Sequence, residues 1–328
     1  MALRDIKGQE KALRIFSGML RRGRVPSAML LSGDKGVGKM SAALNFAKAV
    51  NCLQPVDFDA CDVCSSCRKI DAGTHPDITV MVTEGDEIKI DDMRRLEEVL
   101  FLRPYEGRKK VALIDDADTM NSNAANAFLK TLEEPPEDCL IVLVSSNPDR
   151  LLDTIRSRCT PVRFYPLPRA ELTAMVPAEL EGEARQLALA LSMGRPGLAK
   201  SVDFLGERAW FFGLLEAMLR GDAKEAWTDK AEMRSWLDMA FVFLRDVAVM
   251  AAAGDESGLL YGKNSYRAYR NIAPQAAFNA WQRLQKMSNL LDFNLNKSIS
   301  WNYVASIMQQ LMTHGPSHKA VSASRGGR

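Results

Sequence analysis

The chain contains no apolar run near the roughly 20 residues that a membrane-spanning helix needs; the nearest stretch, AVMAAAG, is far too short. It also reads as lacking a signal peptide, because the opening MALRDIKGQEKALRIF puts acids and a glycine where a leader carries an apolar core. Charge of one sign is missing too. With 43 Lys and Arg against 41 Asp and Glu the net charge is +2, so any contact with nucleic acid has to come from one local face. There is no internal repeat, and nothing in the composition points to an oxidising compartment. These absences predict a cytoplasmic protein with no membrane partner. The 328 residues are enough for two or three domains with full cores, and the 47% apolar and 26% charged fractions are those of an ordinary globular chain.

Cysteine is scarce, and its placement is informative. Of six cysteines only Cys139 and Cys159 stand apart; Cys52, Cys61, Cys64 and Cys67 form the pattern C-x8-C-x2-C-x2-C. Each C-x2-C turn can aim two thiolates at a common centre, which suits a tetrahedral structural zinc. Four ordinary thiols or two disulfides are the competing reading. His75, beside Pro76, is read as a hydrogen-bonding loop residue, since four cysteines already close a structural site. A nucleic-acid-binding zinc module is a further alternative. The segment CDVCSSCRKIDAGTHPD argues against it, with only Arg68 and Lys69 as bases and no aromatic side chain for stacking.

Ahead of the cysteines, an apolar strand (Ala28 to Leu31) enters Gly33-Asp34-Lys35-Gly36-Val37-Gly38-Lys39 and a helix follows, from about Gly38 to Val50. Glycines in that context let backbone N–H groups converge on phosphate oxygens at a helix N-terminus, and Lys39 adds a positive charge. The next position departs from the pattern. A hydroxyl there would ligate magnesium, but the residue is Met40, and its thioether suits a hard cation poorly. Ser41 comes one residue late, about 100° further round the helix, and is expected to point elsewhere. The strand Val111 to Ile114 then delivers Asp115 and Asp116, followed by Ala117 and Asp118. Asp115 is placed to hold magnesium through water. Asp116 stands where a glutamate would orient an attacking water and is one methylene shorter. Two acids capping a helix start are the plainer alternative.

The first half alternates strands and helices. A helix through GQEKALRIFSGMLRRG has Ile15, Phe16, Met19 and Leu20 on one face, and the basic cluster Arg21, Arg22 and Arg24 at its end favours the dipole. A strand (Ile78 to Val82) precedes the helix IDDMRRLEEVLFL, with Asp91 and Asp92 in its first turn. Next come VALID, a helix from Asn121 to Leu132, the strand CLIVLVSS and a short helix ending at Cys159. This predicts a parallel sheet covered on both faces. Beyond Pro166 nearly everything reads as helix, interrupted by GRPG at Gly194 to Gly197. The fold class is therefore α/β followed by all-α. The expected domains are residues 1–166, a small helical domain over 167–205, a larger one over 206–314, and a disordered tail over 315–328. All five tryptophans (Trp210, Trp227, Trp236, Trp281, Trp301) fall in the larger helical domain as core or interface anchors.

The phosphate loop, cysteine loop and DDAD acid box are followed by NAFLKTLEEPP (Asn126 to Pro136) and TIRSRC (Thr154 to Cys159). In this order they resemble the clamp-loader subunits of bacterial DNA polymerase III, which are AAA+ proteins. The resemblance is strong over residues 5–205 and weaker through LRDVAVM (Leu244 to Met250) and NLNKSIS (Asn294 to Ser300). It implies an AAA+ domain with a zinc module at 52–67, a helical lid and a C-terminal oligomerising collar. It also implies that Arg158 is an arginine finger acting on a neighbouring subunit's nucleotide, with Arg156 the competing ion-pair arginine. Arg195 lies where a lid would bear a second nucleotide-sensing arginine, and Ser145, Ser146 and Asn147 are candidate sensor residues. The implied ligands are structural zinc and ATP or ADP, with or without Mg2+. The implied partners are motor and delta-type subunits in a hetero-pentamer, the sliding clamp and primed DNA. Met40 and Asp116 favour a stator with little or no hydrolysis of its own; a motor ATPase of the same family is the alternative.

Overall fold

The structure, a computed structural model, describes residues 1–82, 87–221, 227–253, 259–262, 266, 269–291 and 295–313. The tail expected over 315–328, and Asn294 at the start of NLNKSIS, lie outside the described residues. The chain divides into two compact units, Met1–Pro177 with Ser192–Lys200, and Ala178–Leu191 with Ser201–Arg328. The segment 167–205 is divided between the two units.

In chain order the elements are α1 (Glu10–Arg22), β1 (Ala28–Ser32), α2 (Lys39–Asn51), α3 (Ser65–Asp71), β2 (Ile78–Met81), α4 (Ile90–Leu100), β3 (Lys110–Ile114) and α5 (Ser122–Glu133). They continue with β4 (Cys139–Ser145), α6 (Asp153–Arg156), β5 (Thr160–Arg163), α7 (Arg169–Thr173), α8 (Gly182–Leu191), α9 (Pro196–Ser201), α10 (Phe204–Arg220), α11 (Lys230–Ala253), α12 (Pro274–Asn289) and α13 (Lys297–Thr313).

The five strands form one sheet in the order β2-β3-β4-β1-β5, and every pairing is parallel. The inner strands are apolar on both faces because alternate residues feed two cores. Met29, Leu31, Val111, Leu113, Leu140 and Val142 join Phe16 of α1 and Phe46 of α2 on one side. Ala28, Leu30, Ala112, Ile114, Ile141 and Leu143 join Met93 and Leu96 of α4 and Phe128 of α5 on the other. Phe128 is fully buried, and a side chain of that size contributes about 2–3 kcal/mol by leaving water. Asn121 caps α5 by accepting the Ala124 N–H at 2.9 Å, a contact worth about 1 kcal/mol.

Two differences from the sequence reading stand out, at β5 and on α1. Strand β5 was not anticipated: it is four residues long, contains Pro161 and buries only Val162, and it is tolerated because it is an edge strand. On α1 the buried face runs through Ala12 and Phe16, leaving Ile15 40% exposed. In the second unit Trp227, Trp236 and Trp301 are core residues, whereas Trp281 is an exposed ring stacked near Phe278. The core of that unit gathers Phe211, Trp236, Phe243, Tyr261 and Trp301. There the buried Asp246 accepts from the Leu260 N–H and from the Tyr266 hydroxyl, both at 2.6 Å. Among the described residues no helix is long and apolar enough to cross a membrane.

Candidate functional site

Parallel strands bring their C-terminal ends to one edge of the sheet, where α/β folds collect ligands. Here that edge gathers the phosphate loop after β1, the acid box after β3 and the Ser145–Asn147 turn after β4. Gly33, Gly36 and Gly38 have φ of +147°, +85° and +98°, conformations that favour glycine. The first-turn N–H groups of α2 have no intrahelical acceptor. Lys39 is buried, and its Nζ donates to the carbonyls of Gly33 (2.5 Å) and Asp34 (2.9 Å) and to Ser146 Oγ (3.2 Å). Burial holds its pKa below the ordinary lysine value, against the pull of Asp115, Asp116, Asp118 and Asp34. Gln9, which the sequence reading missed, ties this loop to the strand edge: its amide donates to Val37 O (3.4 Å) and Tyr165 O (2.7 Å).

Met40 packs against the apolar core beside α2, and Ser41 is exposed. Asp115 accepts the Asp116 N–H at 3.0 Å, and burial pushes its carboxyl up, with the Asp116 charge adding to that effect. Asp116 has φ of +45° and lies 4.0 Å from Lys35 Nζ. Asp118 accepts the Ser146 N–H at 3.0 Å, so Ser146 links the acid box to Lys39 across β4. Of the three sensor candidates, Ser146 is the one bonded to the phosphate-loop lysine. Arg195 lies beside Gly36, but its Nε donates to Ser192 O at 2.9 Å. The backbone contact from this segment to the loop is made instead by Gly197, whose N–H donates to Gly36 O at 2.8 Å. A Cβ on Gly197 would sit 3.0 Å from Gly36 Cα, so a side chain there would crowd the loop backbone.

At the other end of α2 the four cysteine sulfurs Cys52, Cys61, Cys64 and Cys67 lie within 4.8 Å of one another. Zinc bonds of about 2.3 Å in a tetrahedron place sulfurs roughly 3.8 Å apart, so the set fits one metal ion after a small contraction. Backbone N–H groups already point at the sulfurs: Cys61 N–H to Cys52 Sγ and Cys64 N–H to Cys61 Sγ at 3.3 Å, and Cys67 N–H to Cys64 Sγ at 3.4 Å. Burial pushes the Cys64 thiol up, but the N–H groups of Cys67 and Leu53, together with the Cys67 and Cys61 thiols, outweigh it and bring it to about 6. Asp62, inside the first C-x2-C turn, takes the left-handed conformation that the turn requires.

Buried polar groups hold this module, and of these sequence inspection singled out only His75. Lys48 is fully buried, and its Nζ sits 2.7 Å from both Asp62 Oδ1 and Asp71 Oδ1. Asn51 accepts the N–H groups of Arg108 (2.9 Å) and Lys109 (2.8 Å). His75 is buried outside the sulfur cluster: its Nδ1 accepts the Asp77 N–H at 3.2 Å, and its Nε2 lies 3.2 Å from Ser66 Oγ. Asp77, with no exposed surface, accepts the N–H groups of Tyr105, Glu106 and Gly107 at 2.7 to 2.9 Å. No local pattern marks Lys48, Asn51 or Asp77, because their partners lie 14 or more residues along the chain.

Ile155 and Cys159 are buried anchors on either side of Arg158 and leave it at the surface. Its guanidinium donates to Thr154 O at 2.8 Å and to Glu133 Oε1 at 2.6 Å. Arg156 instead pairs with Asp149 and Asp153.

A family model described as DNA polymerase III, delta subunit, matches residues 8–168. The DNA polymerase III subunit delta' of Bacillus subtilis (strain 168) is 32% identical over 267 residues, covering 77% of this chain and 80% of the relative. Subunit delta' of Pseudomonas aeruginosa PAO1 is 39% identical over 210 residues, covering 62% and 63%. Subunit tau of Escherichia coli (strain K12) is 39% identical over 155 residues, covering 47% of this chain and 24% of the relative. With a delta' relative matched at 32% identity over 80% of its length, the chain belongs to the delta' family of DNA polymerase III subunits.

Proposed function

We propose that this chain is the stator of a sliding-clamp loader, lending Arg158 to the nucleotide of a neighbouring ATPase subunit while turning over little or no ATP itself. The observation that carries the reading is a contrast between two positions. Met40 packs into the core where a cation-ligating hydroxyl is needed, whereas the Arg158 guanidinium stays at the surface. Arginine suits action across an interface, since its permanent charge and planar fork match phosphate oxygens as charge builds there. Membership in the delta' family agrees with this role. The partners under this reading are motor and delta-type subunits of a hetero-pentamer, the clamp and primed DNA.

The chain's own nucleotide site is read as binding ATP or ADP for structure. The backbone of Gly33, Gly36 and Gly38 would face phosphate oxygens, Lys39 would supply charge, and Asp115 would hold Mg2+ through water. Burial shifts both Lys39 and Asp115 toward their neutral forms, and a bound phosphate or cation would favour the charged forms again. The four cysteines are read as a structural zinc site bracing the module. The test is ATP binding and steady-state hydrolysis by the purified, zinc-loaded chain with clamp and primed DNA. Binding without turnover supports the stator. DNA-stimulated turnover overturns it in favour of a motor.

A further inference from the structure

Glu133 closes the NAFLKTLEEPP run and Arg158 lies in TIRSRC, and nothing in either sequence says that the two motifs meet. In the structure they do. Glu133 ends α5, where Glu134 N–H closes the helix on Lys130 O at 3.0 Å and Pro135 and Pro136 prevent its continuation. That ending carries the Glu133 carboxylate to the Arg158 Nη2 at 2.6 Å, while Thr154 O accepts from the other terminal nitrogen, Nη1, at 2.8 Å. Two N–H groups are therefore committed, and the rest of the guanidinium fork has no acceptor among the described residues. The Glu133 side chain is half exposed and that of Arg158 one-third exposed, so the pair adds little to stability. What it does fix is the plane and direction of a long, otherwise rotamer-rich side chain.

We propose that Glu133 is a positioning residue for Arg158, holding the guanidinium pre-oriented toward a partner's phosphate. This rests on the reading of Arg158 as a finger acting in trans. A charged group misplaced by about 1 Å can cost on the order of 10²-fold in rate, and a fork held on two sides loses less freedom when it engages phosphate. Glu133 touches no nucleotide in this scheme; it acts only through Arg158.

The test assembles wild type, Glu133→Gln, Glu133→Asp, Arg158→Ala and the double variant Glu133→Gln/Arg158→Ala with the loader's motor subunits. ATP hydrolysis is followed in a single turnover, where the site beside this chain forms its own kinetic phase. Arg158→Ala should slow that phase by on the order of 10²-fold or more. Glu133→Gln should slow it by roughly 3- to 10-fold with unchanged apparent ATP affinity and unchanged melting temperature. Glu133→Asp should recover part of the rate, and the double variant should be no slower than Arg158→Ala alone. If Arg158→Ala has no effect, the finger reading itself fails. If Arg158→Ala slows the phase but Glu133→Gln does not, or accelerates it, the positioning role is overturned while the finger reading stands. Additive losses in the double variant would also overturn it, because Glu133 would then act independently of Arg158.

Discussion

Helix α2 carries two buried lysines whose surroundings shift them in opposite directions. Near its C-terminal end Lys48 loses solvent but gains Asp62 and Asp71, and these carboxylates outweigh burial and raise its pKa. At its N-terminal end Lys39 is buried against carbonyl oxygens and a hydroxyl, with carboxylates only at a distance, and burial wins. Carboxylates return what desolvation removes from a cation, whereas backbone carbonyls do so only in part. One end of the helix is therefore closed by ion pairs. The other holds a cation with no carboxylate in contact, as the proposed binding of a phosphate there would require.

The largest expected effect separates the two ends by metal. Chelation should lower the melting temperature of the first unit by on the order of 10 °C, leave the second unit's transition in place, and have no further effect on Cys64→Ser. An unchanged melting curve would show the cysteine end to be stable without metal. Next, Asp77→Ala should cost about 3–5 kcal/mol in urea unfolding, because it strands three backbone N–H groups and leaves Lys110 without its 3.4 Å partner.

The two lysines give the direct comparison. Lys48→Met should destabilise by about 2–3 kcal/mol, less than a fully buried pair because Asp62 and Asp71 are partly solvated. Lys39→Met should leave stability unchanged or slightly raised, since the folded state disfavours its charge, and should abolish nucleotide binding in a titration with ATP. Equal losses from both substitutions would break the contrast.

The smallest effect is a pH dependence. Burial lowers the His75 pKa, with Glu106 and Asp77 opposing. A group with a depressed folded-state pKa takes up its proton more readily in the unfolded chain. Its contribution is therefore complete above the unfolded value of about 6.5 and is lost as pH falls through the folded one. His75→Gln should flatten the part of the stability profile just below pH ~6.5; an identical profile would remove His75 from the account.

Much of this was legible in the chain itself. Three glycines and a lysine between an apolar strand and a helix are enough to place the glycine loop ahead of α2, and the C-x2-C turns place a sulfur cluster, because both depend on neighbours a few residues apart. The unbroken apolar runs VALI and CLIVLV likewise announce strands buried on both faces. Strand β5 was hidden by its brevity and by Pro161, and Ile15 misled because its apolar character was counted without knowing which side of α1 meets the sheet.

Local order and motif chemistry were thus decided by sequence, through helix and strand periodicity, backbone freedom at glycine and the ligand preferences of thiols. Only the tertiary structure decided which distant polar groups meet: Lys48 with Asp62 and Asp71, Asp77 with the Tyr105–Gly107 amides, Gly197 with Gly36, and Glu133 with Arg158. Those pairings depend on strand register and on where helices end against the sheet. Both are set by the packing of the two apolar cores, and neither leaves a mark in the residues flanking each partner.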